Sequence, residues 1–152
     1  MKIISACLAG IKCRYDGEAA PCRKVIELVE QGEAIPVCPE QLGGLPTPRA
    51  PAEKRDDGVF TKEGKDVTYQ FETGAKEALK IAKLAGCGQA ILKARSPSCG
   101  SGAIYDGTFS GRVIEGDGVF AGMAKENGIE VVTEDEFGFT DTSGEPFRRT
   151  RP

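Results

Sequence analysis

The chain contains no histidine. That excludes a Ser-His-Asp triad, a Cys-His nucleophile pair and every His-ligated zinc site. It contains no C-x-x-C pair, so a zinc ribbon or a thioredoxin-type motif falls away too. No apolar run approaches the ~20 residues of a membrane helix. Met1-Lys2 opens directly on a β-branched run rather than on a secretory signal. A net charge of −3 over 152 residues provides no basic surface for a large nucleic acid. These absences predict a cytoplasmic protein with no membrane partner.

What is present is more pointed. Six cysteines stand at positions 7, 13, 22, 38, 87 and 99. Without a secretory signal they do not read as a disulfide scaffold. The hydrophobic share of 39% and the charged share of 28% are those of an ordinary globular chain. At this length a single domain buries roughly 70% of the surface its unfolded chain exposes, enough for a true core.

The stretch Lys93-Ala-Arg-Ser-Pro-Ser-Cys-Gly-Ser-Gly102 organises the reading. It follows a short apolar run over 89–92, and Pro97 blocks continuation of that strand. Further strands are predicted over 2–7, 34–38 and 129–133, with Pro36 marking a bulge or a strand end. Helices are predicted over 23–31, 70–85 and 119–126. The second carries an apolar stripe of Phe71, Ala75, Ala78, Leu79 and Ala82. A glycine follows each helix at a capping position, at Gly32, Gly86 and Gly128. A last short helix is predicted over 134–137. Four prolines and two glycines over 39–53 predict an ordered loop with neither helix nor central strand. Residues 59–69, with Glu63-Gly64 near the middle, predict a β-hairpin, and 104–118 is glycine-rich without clear periodicity.

Helix–glycine–strand therefore recurs three times after an initial strand. That predicts an α/β fold: a mainly parallel sheet with helices on both faces, Rossmann-like and three-layered, with a small hairpin excursion. One domain is expected over 1–137, with a disordered tail expected over 138–152.

Cys7 and Cys38 fall at the carboxyl ends of predicted parallel strands, and Cys99 falls in the loop after another. Parallel strands place these ends on one side of the sheet, where open α/β sheets bind ligands. Three thiolates without histidine suit a soft metal ion or an iron–sulfur cluster. If three cysteines hold three irons of a cubane, the fourth iron stays open as a Lewis acid. Cys22 and Cys87 read as small buried apolar residues. Glu40, two residues after Cys38, is a candidate general base or acid. Ser96 and Ser98 are candidate hydrogen-bond donors or proton relays. Ser98, Gly100, Ser101, Arg49 and Lys93 are candidate substrate contacts, with Gly100 and Gly102 freeing backbone donors for an anion. Two further readings share these residues: a phosphate- or nucleotide-binding module, and a thiol-based metal or redox sensor.

Three separated motifs add a resemblance. Ser5-Ala-Cys-Leu-Ala-Gly10 with Arg14-Tyr-Asp-Gly17, then Val37-Cys-Pro-Glu-Gln-Leu-Gly-Gly-Leu-Pro-Thr-Pro-Arg49, then Lys93-Ala-Arg-Ser-Pro-Ser-Cys-Gly100 resemble the thiouracil desulfidase family over about residues 1–137. The resemblance implies a [4Fe-4S] cluster on Cys7, Cys38 and Cys99 with one open iron. Cys13 stands where the family often has valine, so it is not implied as a ligand. Glu40 and Ser96 match the family's catalytic pair. The implied reaction is non-redox hydrolysis of C=S to C=O with release of sulfide. The implied partner is a small thiolated nucleobase or nucleotide: thiouracil, thiouridine or a thionucleotide.

Overall fold

The computed structural model describes residues 1–137. The tail expected over 138–152 lies outside the described residues. In chain order the strands are β1 (Lys2–Ser5), β2 (Ala34–Val37), β3 (Ala52–Arg55), β4 (Gly58–Thr61), β5 (Gln89–Leu92), β6 (Ala103–Tyr105), β7 (Val113–Glu115) and β8 (Glu130–Thr133). The helices are α1 (Arg23–Glu30), α2 (Pro39–Leu42), α3 (Thr68–Leu84), α4 (Val119–Glu126) and α5 (Glu134–Phe137), with a 3-10 turn over Ala6–Ala9.

Four strands form one parallel sheet in the order β2-β1-β5-β8. Alternation along β1 sends neighbouring side chains to opposite faces. Ile3 packs with Ala75, Ala78 and Ala82 of α3 and Phe120, Ala121 and Ala124 of α4. Ile4 packs on the other face with Val25 and Leu28 of α1. Both isoleucines are fully buried, so β1 lies between two layers. That is the expected three-layer α/β arrangement. Pro36 pairs with Ile4 in edge strand β2, where a missing N–H leaves no central ladder bond unmade.

The chain leaves β1 through α1 towards one edge and returns over the opposite face through α3 to β5. The direction of winding thus changes between β1 and β5. Their carboxyl ends flank the crevice in which open α/β folds place ligands.

Three local expectations need correction. The loop over 39–53 holds a one-turn helix, α2, because Pro39 occupies its first turn, where a missing N–H costs nothing. The main hairpin is β3–β4, turning at Asp56-Asp57 rather than at Glu63-Gly64. The latter forms a smaller turn, with the Gly64 N–H on the Thr61 carbonyl at 2.8 Å and the Thr61 N–H on that of Lys65 at 2.9 Å. Residues 104–118 contain most of a second hairpin, β6–β7.

Candidate active site

The carboxyl ends of β1, β2 and β5 meet around a cavity of about 240 Å³. Its walls include Cys7 from the 3-10 turn, Cys38 at the cap of α2 and Cys99 from the loop after β5. Cys13 joins them. Its thiol lies against the thiols of both Cys38 and Cys7, and the Cys38 Sγ is 3.8 Å from the Cys13 carbonyl oxygen. Four thiols thus share one pocket, while Cys87 lies in the core on the α3–α4 face. Cys22 packs beside the core on the α1 face.

Two close backbone contacts fix this arrangement. A Cβ on Gly74 of α3 would stand 1.7 Å from the Pro39 carbonyl oxygen, and one on Gly43 would stand 1.9 Å from that of Gln70. Glycine at both positions lets α2 lie backbone to backbone on α3, which places Cys38 and Glu40. The loop carrying Cys99 is gripped by the start of α4. The N–H groups of Val119 and Phe120 bond the carbonyls of Pro97 and Ser98 at 2.9 and 2.8 Å, and that of Gly118 bonds Gly100 at 2.7 Å. These bonds satisfy helix-terminal donors that otherwise lack partners.

Glu40 is the polar centre. Its Oε1 accepts from Arg49 Nε at 3.0 Å and lies 3.0 Å from Arg49 Nη2 as an ion pair. Its Oε2 accepts from the Ser98 hydroxyl at 3.0 Å. Arg49 also donates through Nη1 to the Pro46 carbonyl and Thr47 Oγ1, and through Nη2 to the Cys13 carbonyl. A guanidinium has five N–H donors: one on Nε, two on Nη1 and two on Nη2. Four hydrogen bonds engage Nε, Nη1 and Nη2 here, so Arg49, expected to contact substrate, lines the cavity and holds Glu40. Ser96 Oγ accepts from the N–H groups of Ser98 and Cys99 at 3.2 and 3.0 Å and lies 3.1 Å from Ser98 Oγ.

The other expected contacts divide. Lys93 lines the cavity and pairs with Glu134 at 3.0 Å. Gly100 and Ser101 are not among the lining residues. The Gly100 N–H bonds the Ser96 carbonyl at 2.8 Å, and the Gly102 N–H bonds Asp117 Oδ1 at 2.9 Å. With the Ser98 and Cys99 N–H groups on Ser96, these four loop donors are spent internally rather than offered to a phosphate. Sequence reasoning missed Ser5, whose Oγ accepts the Lys93 N–H at 2.9 Å while its hydroxyl meets the Cys99 thiol. It also missed the cavity-lining Tyr15, Glu53 and Tyr105. The Arg14-Tyr-Asp-Gly17 motif was the available signal for Tyr15.

The thiols are electrostatically confined. Burial pushes Cys99 up to about 12, against the Ser5 and Ser98 hydroxyls that pull it down. The hydrogen bond to Cys13 and then burial push Cys38 far upward. Cys13 is drawn down by Cys38, yet its hydrogen bond to Cys7 and its burial outweigh this and raise it to about 11. Unliganded, these groups are neutral thiols; holding a metal centre requires them to release protons. Among the described residues no three Cys, Asp or Glu side chains converge as ligands of a single ion. A cubane cluster asks for something different, since each thiolate binds its own iron. A buried all-sulfur donor set without imidazole fits such a group.

The family description 2-thiouracil desulfurase matches residues 3–136. YbbK of Bacillus subtilis (strain 168), described as an uncharacterized protein, is 44% identical over 146 residues, covering 90% of this chain and 97% of the relative. The solved structure of a [4Fe-4S]-dependent thiouracil desulfidase, TudS, is similar with a TM-score of 0.84 and 44% identity, covering 88% of this chain and 90% of that one. The chain belongs to the 2-thiouracil desulfurase family.

Proposed function

We propose that this protein hydrolyses the thiocarbonyl of a thiouracil-type pyrimidine, with a [4Fe-4S] cluster held by Cys7, Cys38 and Cys99. The net reaction is thiocarbonyl plus water giving carbonyl plus hydrogen sulfide. The observation that carries this reading is the meeting of those three cysteines with Glu40 and Ser96 around one cavity at the crevice between β1 and β5. When bound, the cluster supplies an open iron as a Lewis acid for the sulfur. The protein supplies the rest. Glu40, fixed by Arg49, acts as general base towards the attacking water. Ser96 moves protons at Oγ. The buried walls keep bulk water from the thiolates and strengthen each polar contact. The cavity admits a single heteroaromatic ring more readily than a polymer, so the substrate is a free thiolated base, nucleoside or nucleotide. A thiolate-held cluster also suits the reducing cytoplasm.

Protein purified without oxygen is expected to be brown, with iron and labile sulfide present together. It should release sulfide from 2-thiouracil or 4-thiouracil. Protein loaded with the cluster and inert towards every thiolated pyrimidine would overturn the proposal.

A further inference from the structure

Ser98 has no task in that scheme, yet it occupies the centre of the polar network. Its side chain is almost wholly buried, at 2% exposure. Its hydroxyl lies 3.0 Å from Glu40 Oε2, 3.1 Å from Ser96 Oγ and 3.6 Å from Cys99 Sγ. A hydroxyl has one proton to donate. The carboxylate at 3.0 Å is the stronger acceptor and takes it while Cys99 is a neutral thiol, so the longer contact with Cys99 is the weaker one. Ser98 Oγ must then accept from Ser96, whose proton has Ser98 as its partner. The hydrogen bonds run in one direction: from Ser96 to Ser98, and from Ser98 to Glu40.

Two backbone N–H groups, from Ser98 and Cys99, point at Ser96 Oγ. They stabilise negative charge developing on that oxygen, as donors of an oxyanion hole do. One end of the chain is thus built to lose a proton and the other to receive it.

We propose that Ser98 is the positioning residue that links the Glu40 carboxylate to Ser96, relaying the proton that leaves the attacking water. The inference rests on the desulfurisation reading and deepens it. In the relay the water O–H bond breaks and its proton passes to Ser96 Oγ. The Ser96 proton moves to Ser98 Oγ, and the Ser98 proton moves to Glu40 Oε2. One proton leaves water and one arrives on the carboxylate. As the C–O bond forms the C–S bond breaks; the reverse route returns this proton to the departing sulfide, the second water proton leaves the new hydroxyl as the carbonyl forms and completes hydrogen sulfide, and no oxidant or reductant is needed.

The test compares Ser98→Ala and Ser98→Thr with wild type, each as the full chain loaded with cluster under anaerobic conditions. Iron and sulfide content and visible absorbance report the centre independently of turnover. Sulfide release from 4-thiouracil gives kcat and KM, and rates in mixed H2O and D2O count the protons in flight. Ser98→Ala is expected to keep its iron and a KM within about twofold. Its kcat should fall by roughly 10²-fold or more, the scale of proton-transfer catalysis. Threonine, which keeps the hydroxyl, should recover most of the rate. The wild-type isotope plot should curve, as several moving protons require, and the alanine variant's should straighten. Ser98→Ala turning over within threefold of wild type overturns the relay, and so does a linear wild-type plot. Should threonine fit poorly beside Gly118, the alanine rate and the two isotope plots decide alone. Loaded wild-type protein that releases no sulfide overturns the desulfurisation reading itself, and the relay with it.

Discussion

Replacing Arg49 by lysine separates two roles that both demand a cation there. If Arg49 met an anionic part of the substrate, lysine would keep the charge, and the loss would fall on KM. The structure instead gives Arg49 four hydrogen bonds to the protein, one each to Glu40, Pro46, Thr47 and Cys13, and an ion-pair contact from Nη2 to Glu40. A lysine ammonium offers three donors from a single point. At least one of these four is therefore lost, together with the second contact to Glu40. The pair is well buried, with side-chain exposures of 7% for Arg49 and 15% for Glu40, so solvent replaces them poorly. At roughly 1–2 kcal/mol for each unmade bond, Arg49→Lys should cost at least about 1–2 kcal/mol. For a domain near this size each kcal/mol moves Tm by about 4 °C, so the midpoint should fall by at least roughly 4–8 °C. Glu40 also loses its two-point hold, so kcat should fall while KM changes little. The assays are thermal unfolding of the loaded protein and sulfide release at saturating and limiting thiouracil. An Arg49→Lys protein with unchanged Tm and a KM raised tenfold would refute the reasoning and return Arg49 to the substrate.

Gly74→Ala should destabilise at or above the upper end of the roughly 1–3 kcal/mol range for overpacking, because its Cβ would press on the Pro39 carbonyl oxygen rather than on a side chain. Iron content should drop with it, since Pro39 adjoins Cys38; a stable, fully loaded variant would contradict the close packing of α2 on α3. Cys87→Ser and Cys13→Ser should each retain the cluster, whereas Cys99→Ser should lose it. Iron analysis decides, and loss of iron from Cys13→Ser would make Cys13 a ligand. Asp117 accepts from Gly102 N and Lys125 Nζ at 2.9 and 2.8 Å. Burial raises its pKa, but Lys125 and Gly102 outweigh this and hold it below the ordinary 3.8. A lowered folded value stabilises above the unfolded one and is lost as pH falls through the folded one. The urea midpoints of wild type and Asp117→Asn should therefore differ most near neutrality and converge below about pH 4. An equal gap at pH 7 and pH 3 would rule this out.

The sheet and its cysteines were legible because each signal is local. A β-branched run followed by Cys7, and another followed by Cys38, announce strand ends without reference to the rest of the chain. Parallel topology then follows from the intervening helices. Proline counting misled over 39–53, since the position of Pro39 within a turn matters more than the number of prolines. The main hairpin was misplaced because Asp56-Asp57-Gly58 and Glu63-Gly64 both turn the chain, and only cross-strand pairing chooses between them. What sequence could not show was reciprocity between distant residues. Arg49 looks like a cation free for substrate until Glu40, Thr47 and the carbonyls of Cys13 and Pro46 surround it. Cys13 looks detached until the 3-10 turn brings it against Cys7 and Cys38. Gly74 looks like a weak point in a helix until the backbone of α2 lies on it.

The grip of α4 on the Cys99 loop has a consequence for how the site can open. The N–H groups of residues 118–121 hold the carbonyls of Pro97, Ser98 and Gly100, and Phe120, Ala121 and Ala124 behind them are fully buried. The loop cannot lift unless that helix leaves the sheet. Loops on binding sites usually open at small free-energy cost; this one is tied to the core. Its amides should exchange with deuterium only through openings nearly as costly as global unfolding, so thiolates and proton path stay in register through ordinary fluctuations.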